Sequence, residues 1–593
     1  MNTEQILLFA ILGAALLLFA WGRLRYDLVA MIALLAAVVV GVVPGERAFE
    51  GFGHPAVITV AAILILTRSL RNSALVDMAA RLLGSLGARP TVQVLGLAGV
   101  TAIFSAFMNN VGALALMLPV ALAVAGEARR PASEVLMPIS FASLLGGLTT
   151  LIGTPPNIVI ASFRAQETGE PFGMFDFAPV GLSVALVGVV FVALVGWRLL
   201  PQRQEQGSTA VKPLVAIEDY VTEVRLPSNS AYVGRRLIDI ETLAQADVQV
   251  VALVRNDDRI LAPSGFIRLQ AGDILIIEAD SDALQLVLAK AELQLVGAAD
   301  ISAADLRSER VGLVEAVIVP GSRLEGRTAH SMHLHTRFGL NLLAVARQGE
   351  EQHERLGQVR FTAGDVLLLQ GEREALPDVL AALGCLPLAG RDLQLRRRGG
   401  SIWSPLIFLL AIGTVVAGLL PPQIAFMIAA LCTLAVGDVH LRELYESVEW
   451  PVIILLGALI PVGMALETTG GSGIIALPLL HLGDQAPAWV VLGMLMIVTM
   501  LLSDIMNNAA TAVLMAPIGV TVAHGLGANV DPFLMAVAIG ASSTYLTPIG
   551  HQSNLLVMGP GGYRFYDYWR MGLPLDLLIL LVGLPMILLF WPL

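Results

Sequence analysis

A stretch that occurs twice constrains this chain more than any other feature. The first copy reads Phe104-Ser105-Ala106-Phe107-Met108-Asn109-Asn110 and runs through apolar residues to Pro119. The second reads Leu502-Ser503-Asp504-Ile505-Met506-Asn507-Asn508 and runs through apolar residues to Pro517. Serine, Met-Asn-Asn and proline keep one spacing in both. Each copy has a downstream partner: Thr150 to Asn157, with Gly153, Thr154 and Pro155 between, and Thr547 to Asn554, with Gly550 and His551 between. Asp176 and Gly181 are echoed by Asp567 and Gly572. Polar residues held in step across an apolar background mark two copies of one unit, each with two polar breaks inside membrane-length sequence.

Composition supports a polytopic membrane protein with a polar insert. The chain is 56% hydrophobic and only 14% charged, against about a quarter charged in soluble domains. The shortfall lies in 1–200 and 400–593, where apolar runs are long enough to span a bilayer. The net charge of −11 sits mostly in the insert and loops. The arginines are scattered, which excludes a nucleic-acid stripe. The two cysteines, Cys385 and Cys432, have no metal or disulfide spacing and read as packing residues. The first apolar run follows Glu4 and lacks an A-x-A end, so it reads as a retained helix.

Four regions are expected: a membrane repeat over 1–200, two insert units over 201–300 and 301–398, and a second membrane repeat over 399–593. Apolar spans fall near 5–22, 27–44, 55–70, 92–107, 111–125, 134–163 and 179–200. They recur near 402–420, 423–437, 451–466, around Asn507-Asn508, and near 532–558 and 572–592. If each Met-Asn-Asn pair is a re-entrant hairpin, one side collects Arg23, Arg25, Arg68, Arg71, Arg81, Arg89, Arg129, Arg130, Arg198 and Arg203, then Arg396, Arg397, Arg398, Arg442, Arg564 and Arg570. The other side holds Arg47 and Arg164. No lysine or arginine occurs from Pro451 to Tyr563. Arginine-rich loops are cytoplasmic, which places the insert in the cytoplasm of a plasma (inner) membrane protein and gives the halves opposite topology, an inverted repeat.

The insert repeats too. Leu226-Pro227, Gly234-Arg235 and Ala271-Gly272-Asp273 are echoed by Val319-Pro320, Gly326-Arg327 and Ala363-Gly364-Asp365. Strands are expected at Val248–Val254, Ile274–Glu278 and Val366–Gln370. The units resemble RCK C-terminal (TrkA C-terminal) domains, small α+β modules of channels and transporters. The resemblance implies self-pairing and a small regulatory ligand of nucleotide type. No G-x-G-x-x-G occurs in the insert, so NAD is not expected.

Backbone breaks at membrane depth survive only where they line a cavity or are buried in protein. The helix starting at each tip presents unpaired N–H groups and the positive end of its dipole, an anion site without a fixed cation. Freed carbonyls, with serine and asparagine oxygens, suit a hard cation such as Na⁺. The alternative is that the asparagines only tie helices together; doubled Asn-Asn tips with partner breaks favour the site.

Across both membrane halves the sequence resembles the divalent anion–sodium symporter family, solute carrier family thirteen. Its two Ser-Asn-Thr tips fall on Asn109-Asn110-Val111 and Asn507-Asn508-Ala509, and Thr154-Pro155-Pro156-Asn157 is kept. The resemblance and the tip chemistry together imply substrate contacts at Asn109, Asn110, Val111, Thr154, Pro155, Asn507, Asn508, Ala509 and Thr547. They imply Na⁺ ligands at Ser105, Asn110, Gly153 and Asn157, and at Ser503, Asn508, Gly550 and Asn554. A homodimer follows by resemblance alone. The tip threonines are Val111 and Ala509 here, which argues against a C4-dicarboxylate and for sulfate or an amino-acid-like anion. Asp504 and His551 depart from the family tips and are candidates to carry a proton or cation; for Asp504 the alternative is an N-cap of the following half-helix.

The first reading is therefore a secondary-active anion symporter working by alternating access, Na⁺-coupled or alternatively proton-coupled, and regulated by the insert; a channel gated by the insert is the second, weakened by the lack of a T-V-G-Y-G-like filter. A membrane enzyme is the third. No nucleophile–base pair or phosphate loop occurs, and His330, His333 and His335 sit on a polar loop. No organic cofactor is expected.

Overall fold

The computed structural model describes residues 1–21, 24–71, 89–128, 130–200, 221–241, 249–255, 258–261, 263–278, 291–295, 311–347, 350–351, 359–372, 375–389, 402–439, 444–445, 447–483 and 486–593. The domain limits expected at 200/201, 300/301 and 398/399 touch residues outside that set, as do Arg23, Arg81, Arg129, Arg203, Arg396, Arg397, Arg398 and Arg442.

The first half is helical: α1 (Thr3–Trp21), α2 (Tyr26–Val39), α3 (Pro55–Arg71), α4 (Pro90–Ser105), α5 (Asn110–Glu127), α6 (Leu136–Gly147), α7 (Pro155–Thr168) and α8 (Ala178–Phe191). The second half follows the same plan with α9 (Trp403–Val416), α10 (Pro422–Ala435), α11 (Trp450–Thr468), α12 (Gly471–Gly483), α13 (Ala488–Ser503), α14 (Asn508–Leu526), α15 (Val530–Ser542), α16 (Gln552–Met558) and α17 (Asp567–Phe590). Among the described residues, five helical stretches are long and apolar enough to cross a membrane: Gly45–Arg71, Ala178–Leu199, Trp450–Thr468, Asn508–Leu526 and Asp567–Phe590. Helix α12 is not among the spans read from sequence. Its flanking Gly470-Gly471 pair and internal Pro478 read as punctuation, yet Gly470 adopts φ 71° and the helix starts directly after it.

The halves interleave. α2 packs on α11, α3 on α10 and α8 on α17, pairings that map onto one another when the two repeats are exchanged. The repeated glycines explain part of this closeness. A Cβ on Gly181 of α8 would stand 2.1 Å from Leu148 O, and one on Gly572 of α17 would stand 2.2 Å from Tyr545 O. Only glycine lets each helix lie against the backbone of the broken helix beside it. The echoed aspartates make the same turn: Gly173 N donates to Asp176 Oδ2 at 2.7 Å, and Arg564 N donates to Asp567 Oδ2 at 2.8 Å.

Among its described residues the insert holds ten strands: β1 (Val221–Arg225), β2 (Gln249–Arg255), β3 (Asp258–Leu261), β4 (Ile274–Glu278), β5 (Gln294–Leu295), β6 (Val311–Ile318), β7 (Asn341–Arg347), β8 (Glu350–Glu351), β9 (Val366–Glu372) and β10 (Cys385–Ala389). They form two antiparallel sheets in the orders β3-β2-β4-β1-β5 and β10-β6-β9-β7-β8, one topology used twice. The Gly-Asp turns are locked alike. Arg255 donates to Asp273 at 2.8 and 2.7 Å, and Arg347 donates to Asp365 at 2.8 Å twice. Strand periodicity gives β9 two faces. Leu367 and Leu369 enter the second sheet's own core, whereas Val366 and Leu368 join the apolar core shared with the membrane helices. Burial pushes the Cys385 thiol up to about 12, which suits an inert packing residue.

Candidate functional site

Both duplicated tips meet at one cavity. Its wall includes Asn109, Asn110 and Val111 from the first, Asn507, Asn508 and Ala509 from the second, and Pro155 and His551 from the two breaks. Each tip is a sharp stop followed by a new helix. α4 ends at Ser105 and α5 begins at Asn110; α13 ends at Ser503 and α14 begins at Asn508. The N-caps are Asn109, whose side chain accepts from Gly112 N at 3.1 Å, and Asn507, whose side chain accepts from Ala509 N at 2.9 Å. Asp504 is therefore not the N-cap of α14, because the cap lies three residues further on; it closes α13 instead. Ala113 N and Thr511 N bond back to the cap carbonyls. Among the described residues this leaves the N–H groups of Asn110 and Val111 in one tip, and of Asn508 and Ala510 in the other, without protein acceptors. Two dipole-positive helix starts thus face one cavity with spare donors, and no lysine or arginine lines it.

Behind the first tip lies a pocket of oxygens. One edge of the Asn110 amide stands 2.8 Å from Ser105 Oγ, 3.1 Å from Ser143 O and 3.2 Å from Gly153 O. Ser105 Oγ is itself 2.6 Å from Ser143 O. A Cβ on Gly153 would fall 2.6 Å from Gly147 O and 3.0 Å from Ser105 O, so glycine is what lets these carbonyls converge. The donor set is all hard oxygen and fits a monovalent cation such as Na⁺ with Asn110 Oδ1 turned inward. Behind the second tip, Ser503 Oγ donates to Ala541 O at 2.5 Å, with the same 38-residue separation as Ser105 and Ser143. A Cβ on Gly550 would lie 2.9 Å from Ser503 O. Asn508 Nδ2 is buried and has no partner among the described residues.

The remaining expected residues sit behind the wall. Asn157 Nδ2 donates to Thr150 O at 2.8 Å and Gly147 O at 3.4 Å, and Asn554 Nδ2 donates to Thr544 O at 2.7 Å and Thr547 O at 3.3 Å. Both asparagines pin a break open, and Asn554 Oδ1 also accepts from Ser140 Oγ across the halves at 2.8 Å. Thr154 is buried with an unpartnered hydroxyl. Thr547 Oγ1 donates to Asp504 O at 2.7 Å; Thr150 Oγ1 makes the equivalent bond to Ala106 O. Neither Thr154 nor Thr547 belongs to the cavity wall.

His551 caps α16 through Nδ1, which accepts from Ser553 N at 3.0 Å. Its Nε2 stands 3.5 Å from Asn110 Nδ2, which brings the second break to the first tip. Three neighbours of the tips are absent from the sequence-based set. Glu449 lines the cavity and accepts from Asn109 Nδ2 at 3.0 Å. Gln552 lines it and donates to Tyr26 OH at 3.2 Å. Glu449 and Tyr26 lie outside the repeated motif positions, whereas Gln552 sits in the second break at the position of Pro155; the glutamate's place at the start of an apolar span is its one sequence signal.

The fold and this paired-tip cavity define a membrane transporter. The chain belongs to the citrate transporter family (CitMHS), whose pattern it matches over residues 16–540 and 494–593. It is 32% identical to the transporter sll0640 of Synechocystis over 97% of this chain and 95% of that protein. It is 29% identical to the transporter YfbS of Escherichia coli over the whole of both chains. It is 31% identical to sodium/sulfate cotransporter 1 of Chlamydomonas reinhardtii over 45% of this chain and 32% of that one.

Proposed function

We propose that the protein is a Na⁺-coupled symporter that carries a small anion, sulfate foremost, by alternating access. The observation that carries this reading is the meeting of the two tips, each with free helix-start donors toward the cavity and an oxygen pocket behind. A bound anion would take the N–H groups and the Asn110 and Asn508 amides. Na⁺ would take Ser105, Asn110 and Gly153 behind one tip and Ser503, Asn508 and Gly550 behind the other. Each asparagine then touches both ligands, so neither binds well alone, which is the thermodynamic basis of coupling. Similarity to the Chlamydomonas sodium/sulfate cotransporters supports the substrate class, and Val111 and Ala509 leave the wall without the hydroxyls that would grip a longer dicarboxylate.

On this reading the insert faces the cytoplasm, its units are RCK-type modules that pair in a homodimer, and a small ligand there adjusts the rate. Uptake into proteoliposomes of sulfate, citrate, succinate and amino acids, with Na⁺ or choline outside, tests it. Saturable sulfate uptake that requires Na⁺ is expected. Equal uptake in choline driven by a pH gradient would replace Na⁺ coupling with proton coupling and bring Asp504 and His551 forward.

A further inference from the structure

Exchanging the two repeats matches Ala106 with Asp504, each following the tip serine. It matches Leu148 with Tyr545, each offering its carbonyl to the glycine of the last helix. It matches Ala185 with Asp576, each four residues, one helical turn, beyond that glycine. The first half therefore holds Ala, Leu and Ala where the second holds Asp, Tyr and Asp. All six positions are buried: Ala106 8%, Leu148 0% and Ala185 5% exposed, Asp504 4%, Tyr545 0% and Asp576 8%. The fold does not need polarity there, since its own other half does without it.

The three polar side chains form one group. Asp504 Oδ1 accepts from Leu546 N at 3.1 Å, which ties it to the residue after Tyr545. Tyr545 is within electrostatic reach of both carboxylates, and the carboxylates are within reach of each other. Asp504 Oδ2, Tyr545 OH and Asp576 Oδ1 are all buried without a partner among the described residues. No lysine or arginine occurs from 451 to 563, and Arg570 on α17 is exposed. Two carboxylates buried without a counter-cation are strongly unfavourable, and a cation held by them and the Tyr545 hydroxyl would offset that cost.

We propose that Asp504, Tyr545 and Asp576 hold a cation of the Na⁺ type, at a site separate from the two oxygen pockets behind the tips and present in the second half alone. The site rests on the Na⁺-coupled reading above and deepens it: it adds a coupling ion whose ligands are charged, placed on α13, the second break and α17. Because Asp504 follows the tip serine directly, occupation of this site would bias the second tip more than the first.

The test is ²²Na⁺ binding to the purified full-length protein in detergent, with uptake measured in proteoliposomes. Asp576→Ala and Asp504→Ala copy the first half, and Tyr545→Phe removes the hydroxyl alone. Wild type is expected to bind one more ion per protomer than Asp576→Ala. Tyr545→Phe is expected to keep the count and raise half-saturating Na⁺ by about tenfold. Asp576→Asn guards against misfolding, with thermal unfolding as the check. Unchanged ion count and affinity in folded Asp576→Ala and Asp576→Asn would overturn the site. Loss of pH-gradient-driven uptake with an unchanged ion count would also overturn it and make the group a proton carrier. Absence of ²²Na⁺ binding in wild type would instead sink the Na⁺-coupled reading itself.

Discussion

The two tips share a backbone and differ in chemistry. Ser105 and Ser503 reach carbonyls at the same separation, Asn157 and Asn554 pin equivalent carbonyls, and Thr150 and Thr547 brace equivalent tip carbonyls. Side chains then diverge. The first tip is fastened: Asn109 to Glu449 at 3.0 Å, and Asn110 beside His551 at 3.5 Å. The second leaves Asp504 Oδ2, Asn508 Nδ2, Ser542 Oγ, Thr544 Oγ1 and Tyr545 OH buried without partners among the described residues. A duplicated scaffold fixes where two ligand pockets can form, and substitution in one copy then decides how much each pocket binds. Among the described residues the first half leaves fewer such atoms, Thr67 Oγ1, Ser133 Oγ, Thr154 Oγ1 and Asn157 Oδ1, and none of them is a carboxylate.

The strongest attempt to break this comparison replaces the shared asparagines. Asn110→Ala and Asn508→Ala each remove an amide argued to touch anion and cation together, and leave buried oxygens or donors unmatched at about 1–3 kcal/mol apiece. Uptake by each is expected to fall to about one-hundredth of wild type or lower, with insertion intact and thermal unfolding lowered by about a few degrees only. Near-normal uptake by a well-inserted Asn508→Ala protein would remove the second tip from the site.

Those asparagines were readable from sequence because duplication makes polar residues visible against apolar ones. So were the breaks, the repeat and the Gly-Asp turns of the insert. What escaped reading lies outside the repeat or breaks its pattern. Glu449 has no motif position, Gln552 takes the place of Pro155 with a different side chain, and Tyr26 comes from a helix far away in the chain. Helix α12 was hidden by Gly470-Gly471 and Pro478. Asp504 was visible as an oddity, but its relation to Tyr545 and Asp576 depends on the close approach of α17 to the second break at Gly572, which no local pattern encodes.

A smaller effect separates the cation pockets. Ser105→Ala and Ser503→Ala each delete a hydroxyl that closes an oxygen cluster, so each is expected to raise half-saturating Na⁺ by about tenfold with sulfate affinity at saturating Na⁺ nearly unchanged. The Ser503 effect should be the larger in a background that also carries Asp576→Ala, because Asp504, the residue after Ser503, belongs to the same proposed site as Asp576 and links the two. Strict additivity of the pair in Na⁺ titrations would argue against contact between these sites.

The fastening of the first tip gives a comparable signal. Glu449→Ala releases Asn109 Nδ2 from its acceptor. The bond is to a carboxylate and partly buried, so about 1.5 kcal/mol is expected, read as a roughly tenfold change in the sulfate concentration for half-maximal uptake. Asn507 makes no such bond to a neighbouring helix among the described residues, so Asn507→Ser, which keeps a capping oxygen, should change it less. Equal effects would show that fastening is not what distinguishes the tips.

The smallest change comes from the insert, which touches both tips indirectly. Strand β10 lies against α5, the helix that leaves the first tip. The Gly364 turn of the second sheet meets Gly559 at the end of α16, where a Cβ on Gly559 would stand 1.9 Å from Gly364 O. Gly364 holds φ 88°, so the turn cannot easily yield by taking another residue. Gly559→Ala should therefore press the insert away from the second break without altering the cavity wall. A coupling of about 1 kcal/mol, the low end of the usual range, predicts a several-fold change in uptake rate. The order of preference among sulfate, citrate and succinate should stay the same. Replacing 205–394 by a flexible linker should abolish the sensitivity of rate to Gly559→Ala, since nothing then presses on that glycine. A change in anion preference in either protein, still inserted and still active, would place the insert on the transport path and end its description as a regulator.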